Sequence, residues 1–310
     1  MFPFKLHRNT RTAWSLIVVT LLLAGGVVTT MHYAGAFTSV PEARIAYAGF
    51  DGNDYEIFTV NPDGSDLVQV TNNDVDDWGA TWSPDHSQLA FRSMRTGNSA
   101  IYTMNADGTD IERITPDYLY VGSPTYQATL TWSPDGTHIA YSANHSGNWD
   151  IYKSAVNYRA HERLTSHPAN DLHPDWSVND EIIFNSDREG RLEIFTIDAD
   201  GTNLQREWAH TGEAFTIMVP RWSPDGTSYL VFKNYDTVEA DIFLINSNGE
   251  MSQLTIGAGI DRVPTFSPDG THIVFRSERD GDSDIYTMNL RTGDVLPLTN
   301  DNNTNMSPDW

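Results

Sequence analysis

The strongest constraint on the fold is a motif that recurs through most of the chain at nearly constant spacing. A Trp-Ser-Pro-Asp run, or a close variant of it, starts on an aromatic anchor at five positions, and the chain ends on a sixth aromatic residue. The anchors are Trp82, Trp132, Trp176, Trp222, Phe266 and Trp310. Consecutive anchors are 50, 44, 46, 44 and 44 residues apart. Repeats of about 40–50 residues are typical of the blades of a β-propeller.

Each copy of the motif predicts four short strands. The anchor lies on the first strand, and Pro-Asp-Gly predicts a turn because Pro fixes φ, Asp bonds the nearby backbone and Gly accepts a positive φ. A short apolar run such as Leu89–Phe91 then predicts the second strand, and Ile101-Tyr102 the third. The fourth strand ends at a Leu-Thr pair such as Leu164-Thr165. The prediction is an all-β fold of four-stranded antiparallel blades.

The two ends of the chain predict how the ring closes. Ile45-Ala46-Tyr47 matches a second strand that no anchor precedes, whereas Trp310 is an anchor that no second strand follows. We therefore predict that residues 305–310 pair beside residues 45–48, so that residues 37–310 form six blades. Such closure leaves no exposed sheet edge at the inner strands that could pair with another chain.

The first 36 residues have the organisation of an export signal. Lys5, Arg8 and Arg11 precede an apolar segment over residues 13–30, and Ala34-Gly35-Ala36 follows it. This segment is long for a signal peptide and short for a spanning helix, which needs about 20 residues. We predict either cleavage after Ala36 or retention as a signal-anchor helix that tethers the protein to the membrane. In both cases the propeller lies outside the cytoplasm, as a periplasmic, secreted or membrane-anchored domain.

Charge and composition restrict the partners. The chain carries a net charge of −23 and has no cysteine. Disulfides and thiolate metal sites are therefore excluded, and binding to nucleic acid is disfavoured because the phosphate backbone is also negative. We expect a monomeric propeller whose protein partner is basic or neutral.

The repeats resemble those of the TolB-type β-propeller family, over a region from about Ile45 to Trp310. The resemblance implies an exported, non-catalytic scaffold of the cell envelope that binds a protein through one face of the propeller. TolB itself has an α/β domain ahead of its propeller, and the short segment between Ala36 and Ile45 leads us to expect a chain without that domain.

Candidate binding residues come from the position five residues before each anchor. These residues are Asp77, Gln127, Asp171, Ile217, Asp261 and Asn305. One interpretation is a polar ring at the channel mouth that binds a cation, a basic side chain or sugar hydroxyls. The other is that each side chain caps the turn into its strand.

Four aromatic residues in the links between blades are further candidates, namely Trp78, Tyr118, Tyr120 and Tyr126. Their rings could stack on sugars or anchor a protein partner, or they could pack over the edge of a blade.

A second acidic series stands just before the third strand of most blades. It consists of Glu56, Asp150, Glu193, Asp241 and Asp284, and Arg92, Arg188 and Arg279 lie in the same loops. We interpret it as a source of internal ion pairs. Ca²⁺ is an option at Asp51-Gly52-Asn53-Asp54, although no complete calcium loop with a closing Glu is recognisable.

No catalytic residue, metal ligand or cofactor is predicted, because the histidines and serines show no catalytic spacing. The alternative function is a carbohydrate-active propeller, either a glycan-binding lectin or a metal-assisted polysaccharide lyase or hydrolase. The enzyme would require His167, His173 and His210 to converge near Asp171.

Overall fold

The computed structural model describes residues 43–116, 118–121, 129–145, 147–157, 160–208, 215–234, 239–257, 259–301 and 303–310, together with the backbone of 21–23 and 26–28. In the N-terminal segment, β1 (Leu21–Leu23) pairs antiparallel with β2 (Gly26–Val28). These six residues thus form a hairpin and not part of the expected helix; the other residues up to 42 lie outside the described part. Within the described ranges, no helix is long and apolar enough to span a membrane. Export therefore stays a prediction.

Six antiparallel sheets form the blades, which confirms the predicted six-bladed all-β fold. Blade 1 contains β3 (Ile45–Phe50), β4 (Tyr55–Val60) and β5 (Val68–Gln69), and blade 2 contains β6 (Asp77–Trp82), β7 (Gln88–Ser93), β8 (Ala100–Asn105) and β9 (Glu112–Arg113). Blade 3 contains β10 (Tyr120–Val121), β11 (Leu130–Trp132), β12 (His138–Asn144), β13 (Trp149–Ala155) and β14 (His161–Arg163). Its innermost strand is divided, because β10 and β11 both pair with β12.

The other three blades and the closing strand complete the ring. Blade 4 contains β15 (Asp171–Trp176), β16 (Glu181–Ser186), β17 (Glu193–Asp198) and β18 (Gln205–Trp208), and blade 5 contains β19 (Thr216–Trp222), β20 (Tyr229–Asn234), β21 (Ala240–Ile245) and β22 (Met251–Gln253). Blade 6 contains β23 (Asp261–Phe266), β24 (His272–Ser277), β25 (Asp284–Asn289) and β26 (Val295–Pro297), and β27 (Asn305–Asp309) returns to blade 1.

The closing strand pairs where the sequence predicts. β27 is antiparallel to β3, with Asn305 opposite Gly49 and Met306 opposite Ala48. Trp310 packs on the cluster that contains Tyr47 of blade 1 and Val274 of blade 6. The first and last strands of the propeller therefore share one sheet, which confirms the closure.

The apolar core lies between neighbouring blades, in one cluster for each of the six interfaces. Successive side chains of a strand point to opposite faces of its sheet. In β16, for example, Ile182 packs towards blade 3 whereas Ile183 packs towards blade 5. This alternation explains why the second strands have three or four consecutive apolar residues, such as Leu89–Phe91 of β7.

Two sequence signals have clear local causes. The Pro-Asp-Gly turn forms because the Asp135 carboxylate accepts a hydrogen bond from the amide of Thr137 at 3.0 Å, and Gly136 takes a φ of 69°. The threonine of the Leu-Thr pair accepts the amide hydrogen of the third strand, as Thr165 does from Ile151 at 2.9 Å. Equivalent bonds occur in four other blades. The outer strand is thereby fastened to the blade.

Each innermost strand except that of blade 3 contains a bulge. The pairing shifts register just before the anchor, for example between Leu172 and Asp175. Four of these five bulges contain a proline, Pro174, Pro220, Pro264 or Pro308. Proline suits this position because it has no amide hydrogen to contribute to a ladder. A recurrent proline therefore marks where the strand bends.

Candidate functional site

The loops between second and third strands and the links between blades lie on one face of the propeller, which we call the upper face. The Pro-Asp-Gly turns and the turns between third and fourth strands lie on the lower face, because alternate connections of an antiparallel sheet share an edge. The innermost strands begin at the upper face. Their first residues include Asp77, Asp171, Asp261 and Asn305, four of the predicted binding residues.

The three aspartates of this set are fully buried and paired within their own blades. Arg188 donates from Nη2 to Asp171 Oδ1 at 2.9 Å. The same pair is formed by Arg95 with Asp77 at 2.9 Å and by Arg279 with Asp261 at 3.1 Å. The carboxylates therefore point at arginines of the following loop, so the structure brings them into ion pairs and not into an exposed ring.

Each arginine is held in turn by aromatic rings and a serine. The Arg188 guanidinium lies 4.6 Å from the centre of the Phe195 ring, and its Nε donates to Ser186 Oγ at 2.8 Å. Burial raises the pKa of Asp77, although Ser93 and Arg95 act in the opposite direction. These sets of one aspartate, one arginine, one serine and aromatic rings favour a structural role for the aspartates. In this role, each set fixes the start of the inner strand of its blade. A ligand-binding role for the three aspartates stays a prediction.

Asn305 connects the closing strand to the neighbouring link. Its Nδ2 donates to Asp284 Oδ1 at 3.3 Å and to Asp301 Oδ1 at 3.2 Å. Ile217 supplies an apolar side chain at the equivalent place in blade 5, while Gln127 and Tyr126 lie outside the described residues.

A charged group at the centre of the propeller was not predicted. It comes from the residue just before three anchors, Asp175, Arg221 and Asp309, all buried. Arg221 Nη1 lies 3.0 Å from Asp175 Oδ1, and its Nη2 lies 3.5 Å from Asp309 Oδ1. The sequence does contain a signal for this group. The residue before the anchor is threonine in the other three repeats, so two aspartates and one arginine at this position indicate ion pairs between inner strands.

These carboxylates also bind the backbone of the next blade. Asp309 Oδ2 accepts from Thr81 Oγ1 at 2.9 Å and from the Trp82 amide at 3.0 Å. Asp175 Oδ2 accepts from the Trp222 amide at 2.7 Å. The residue before the anchor thus links consecutive inner strands around the ring.

The bulges of the inner strands share one backbone conformation. A left-handed φ of 50–62° recurs three residues before the anchor, at Gly79, His173, Val219, Val263 and Ser307. Valine rarely adopts this conformation, so its use twice shows that the packing around it enforces the bend. The space on the axis, lined by Gly79, Thr129, Arg221 and Ser307, has a volume of about 10 Å³. This volume holds about one water molecule.

The aromatic candidates divide into exposed and packed side chains. Tyr118 and Tyr120 are 62% and 50% exposed. Trp78 is partly buried, with the guanidinium of Arg92 4.9 Å from its ring centre. Burial lowers the pKa of Arg92 to about 9. Tyr118 and Tyr120 thus remain available on the surface of blade 3, and their role in sugar or protein binding stays a prediction.

Two members of the acidic series before the third strands form internal ion pairs, but with arginines other than those expected. Asp150 pairs with Arg163 at 2.6 Å and Glu193 with Arg206 at 2.7 Å. These arginines lie on the outer strands, whereas Arg188 and Arg279 pair with the inner strands. The correction follows from strand geometry, because the third strand lies beside the fourth.

Of the three histidines of the alternative enzymatic function, two lie in the described part of the chain and differ in exposure. His173 is buried, with Nδ1 3.2 Å from Asn185 Oδ1, and burial lowers its pKa to about 4. His167 is exposed, and His210 lies outside the described residues. In the described part of the chain, the groups with three convergent metal-binding side chains are Asp51, Asp54 and Glu56, and Asp280, Asp282 and Asp284.

Carboxylates crowd the upper face of blades 6 and 1 and the adjoining links, a surface we call the acidic sector. It consists of Asp51, Asp54, Glu56, Asp74, Asp76, Asp280, Asp282, Asp284 and Asp301. Asp51, Asp76 and Asp74 lie close enough to raise the pKa of Asp54, after burial as the largest cause. Burial likewise raises the pKa of Asp284, with Asp282 and Asp280 adding to it. The sector is therefore strongly negative.

Comparisons with known proteins agree with this architecture. The chain is 34% identical over 117 residues to the Tol-Pal system protein TolB of Francisella tularensis subsp. mediasiatica, a match that covers 36% of this chain and 26% of that protein. The match thus spans about a quarter of the relative. The crystal structure of TolB from Acinetobacter baumannii superposes with a TM-score of 0.74 at 22% identity, covering 86% of this chain and 66% of that one.

A structure of oligogalacturonate lyase in complex with manganese has a similar fold, with a TM-score of 0.58 at 14% identity over 83% of this chain and 74% of that one. At this identity the likeness concerns the fold alone. The family model for the TolB beta propeller domain matches residues 121–216 and 211–310, which is more than half of the chain. The chain therefore belongs to the TolB beta propeller domain family.

Proposed function

We propose that this chain is a non-catalytic binding protein of the cell envelope, which acts outside the cytoplasm and binds a protein partner on the upper face of its propeller. The observation that carries the proposal is the acidic sector. It is continuous across the seam between the first and last blades, and exposed carboxylates such as Asp74, Asp280 and Asp301 stand at its surface.

Several charged residues elsewhere in the propeller are paired with one another. At the centre, Arg221 lies 3.0 Å from Asp175 and 3.5 Å from Asp309. The carboxylates at the starts of the inner strands are neutralised by arginines. The acidic sector therefore supports the upper face as a binding surface, because its exposed carboxylates Asp74, Asp280 and Asp301 stand close to several others.

The charge defines the chemistry of that partner. A chain with a net charge of −23 attracts cationic surfaces over a distance of about one Debye length and repels nucleic acid. We propose a basic segment of an envelope protein as the ligand. The relative named as a Tol-Pal system protein supports the envelope location and a protein partner.

The proposal is tested by pull-down from envelope extract with three versions of the full chain as bait. One is the natural protein, and one carries lysine at three exposed positions of the acidic sector, Asp74, Asp280 and Asp301. The control carries lysine at three exposed positions near the lower-face turns, Glu112, Glu250 and Asp294. The charge change is the same in both variants.

We expect one or more basic proteins to be retained by the natural chain and by the lower-face variant, and to be lost with the upper-face variant. Retention should also weaken as salt is raised, because exposed charges are screened. Equal retention by both variants would contradict the assignment of the upper face, provided that both melt cooperatively.

A further inference from the structure

The loop between β3 and β4 in blade 1 brings three carboxylates together. Asp51, Asp54 and Glu56 each offer an oxygen, and these oxygens all lie within 4.8 Å of one another. Ca²⁺ binds protein oxygens at about 2.4 Å, so ligands on opposite sides of one ion lie about 4.8 Å apart. The three oxygens therefore fit within one coordination sphere.

Asp54 provides an independent indication of a ligand. Its side chain is only 7% exposed, and neither Oδ1 nor Oδ2 accepts a hydrogen bond from the residues that the structure describes. The Asn53 side chain approaches without reaching hydrogen-bond geometry, although it lowers the pKa of Asp54 in part. Buried carboxylates are normally paired or bound to metal. Both oxygens of Asp54 are unsatisfied acceptors, so the one that lies near Asp51 and Glu56 is free to bind a cation.

The other two carboxylates are already oriented by the loop. Asp51 Oδ1 accepts the amide hydrogens of Asn53 at 2.9 Å and Asp54 at 3.3 Å, a bend that Gly52 permits with a φ of 108°. Glu56 is fully buried and accepts from the amide and the side chain of Asn73. Each carboxylate oxygen has two lone pairs, so these bonds leave room for a cation.

Electrostatics favour a positive ion at this place. Asp54, Glu56 and the neighbouring Asp77 place several carboxylates close together here. Arg95, which lies beside Asp77, is already paired with that residue. A divalent cation would offset the repulsion among three carboxylates, and oxygen donors without nitrogen or sulfur suit Ca²⁺ or Mg²⁺.

The corresponding loop of blade 6 serves as an internal comparison. Asp280, Asp282 and Asp284 also converge. There, however, Asp280 Oδ2 accepts from the Tyr286 hydroxyl at 2.5 Å, and Asp284 Oδ1 accepts from Thr299 at 2.6 Å. One oxygen of Asp284 thus has a protein donor and only its Oδ2 lacks one, whereas both oxygens of Asp54 lack a donor in the described part of the chain. The blade 1 loop is the better cation site.

We propose that the β3–β4 loop binds a hard divalent cation, best matched by Ca²⁺, through Asp51, Asp54 and Glu56. Glu56 is the closing glutamate of this site, at a spacing from Asp51 that differs from a linear calcium loop. The site lies within the acidic sector, but its occupation does not depend on a protein partner.

The proposal is tested on the full chain after EDTA treatment, by thermal melting against added Ca²⁺ and by Tb³⁺ emission excited through the loop residue Tyr55. We expect the melting temperature to rise with Ca²⁺, because an ion that binds only the folded state stabilises it. Asp54→Asn should abolish this rise and be at least as stable as the natural chain in EDTA, since it removes an unpaired buried charge.

Two further variants keep the test decisive. Asp51→Asn, at an exposed position, should weaken the binding of Tb³⁺ at least tenfold without loss of folding. Asp110→Asn, an exposed control in blade 2 with a φ of 55° that asparagine tolerates, should leave the Ca²⁺ response unchanged. Absence of any Ca²⁺ effect on the natural chain, or a full effect in Asp54→Asn, would overturn the proposal.

Discussion

Replacement of Asp309 tests whether the chain's last strand is fastened at the axis. Asp309 is buried beside the end of the closing strand and accepts from Thr81 Oγ1 and from the Trp82 amide, both in blade 2. Its other oxygen lies 3.5 Å from Arg221 of blade 5. The variant Asp309→Ala removes all three contacts but leaves the pairing between β27 and β3 in place.

The expected cost follows from what each partner loses. The buried Trp82 amide is left without an acceptor, which costs about 1–3 kcal/mol, and the Thr81 hydroxyl loses a bond that contributes about 1 kcal/mol. Arg221 keeps Asp175 at 3.0 Å, so it is not left unpaired. We expect Asp309→Ala to lower the free energy of unfolding by about 3 kcal/mol. Asp309→Asn should cost about 1 kcal/mol, because its amide oxygen can still accept from Trp82.

Urea unfolding followed by tryptophan fluorescence measures these differences, since the chain contains nine tryptophans. Glu112→Ala, at an exposed position of the outer strand β9, is the control and should stay within about 0.5 kcal/mol of the natural protein. The reasoning is refuted if Asp309→Ala matches this control. It also fails if Asp309→Asn is as damaging as Asp309→Ala, because then the acceptor role would not matter.

Two more predictions concern buried charge. Asp171→Ala leaves the guanidinium of Arg188, whose side chain is 10% exposed, without its carboxylate. Urea unfolding should show that the free energy of unfolding falls by about 3 kcal/mol. A fall of less than about 1 kcal/mol would contradict a structural role for this ion pair. His173 has a folded pKa of about 4 against 6.5 when unfolded, so the unfolded state binds the proton first and stability is lost as pH falls from about 6.5 to about 4. His173→Asn should remove about 3 kcal/mol of that loss between pH 7 and pH 4. If the free energy of unfolding depends on pH in the same way in both proteins, this prediction is wrong.

Much of the fold could be predicted because the signals that define it are local. The turn at Asp135-Gly136 is made by hydrogen bonds within five residues, so its sequence alone predicts it. The anchor and turn motif then recurs along the chain, and the recurrence predicts the blades with more force than one copy could. Closure by residues 305–310 could be predicted as well, because the fragment missing at one end of the chain is present at the other.

The candidate site could be predicted only in part, because its chemistry depends on contacts between distant residues. Asp171 was placed correctly at the start of an inner strand, but its partner Arg188 is 17 residues away, beyond a hairpin. Whether that arginine turns to the inner strand or to Glu193 depends on the shape of the loop. The central pair of Arg221 and Asp175 belongs to different blades, 46 residues apart, and no local pattern joins them.

Different parts of each blade have different roles. At the axis and at the inner strand starts, charged residues are paired and the chain is held in bulges, so these positions fix the ring and have little freedom to change. The upper-face loops contribute Arg95, Arg188 and Arg279 to these pairs. Exposed residues of the same loops can vary with less effect on the fold. Blade 1 combines both features, because it holds the closing contact of Asp309 and the unpaired carboxylate of Asp54. The repeat that accepts the last strand of the chain thus also carries the unpaired carboxylate of Asp54 in its upper loop. That charge is the feature that a cation or a basic partner would recognise.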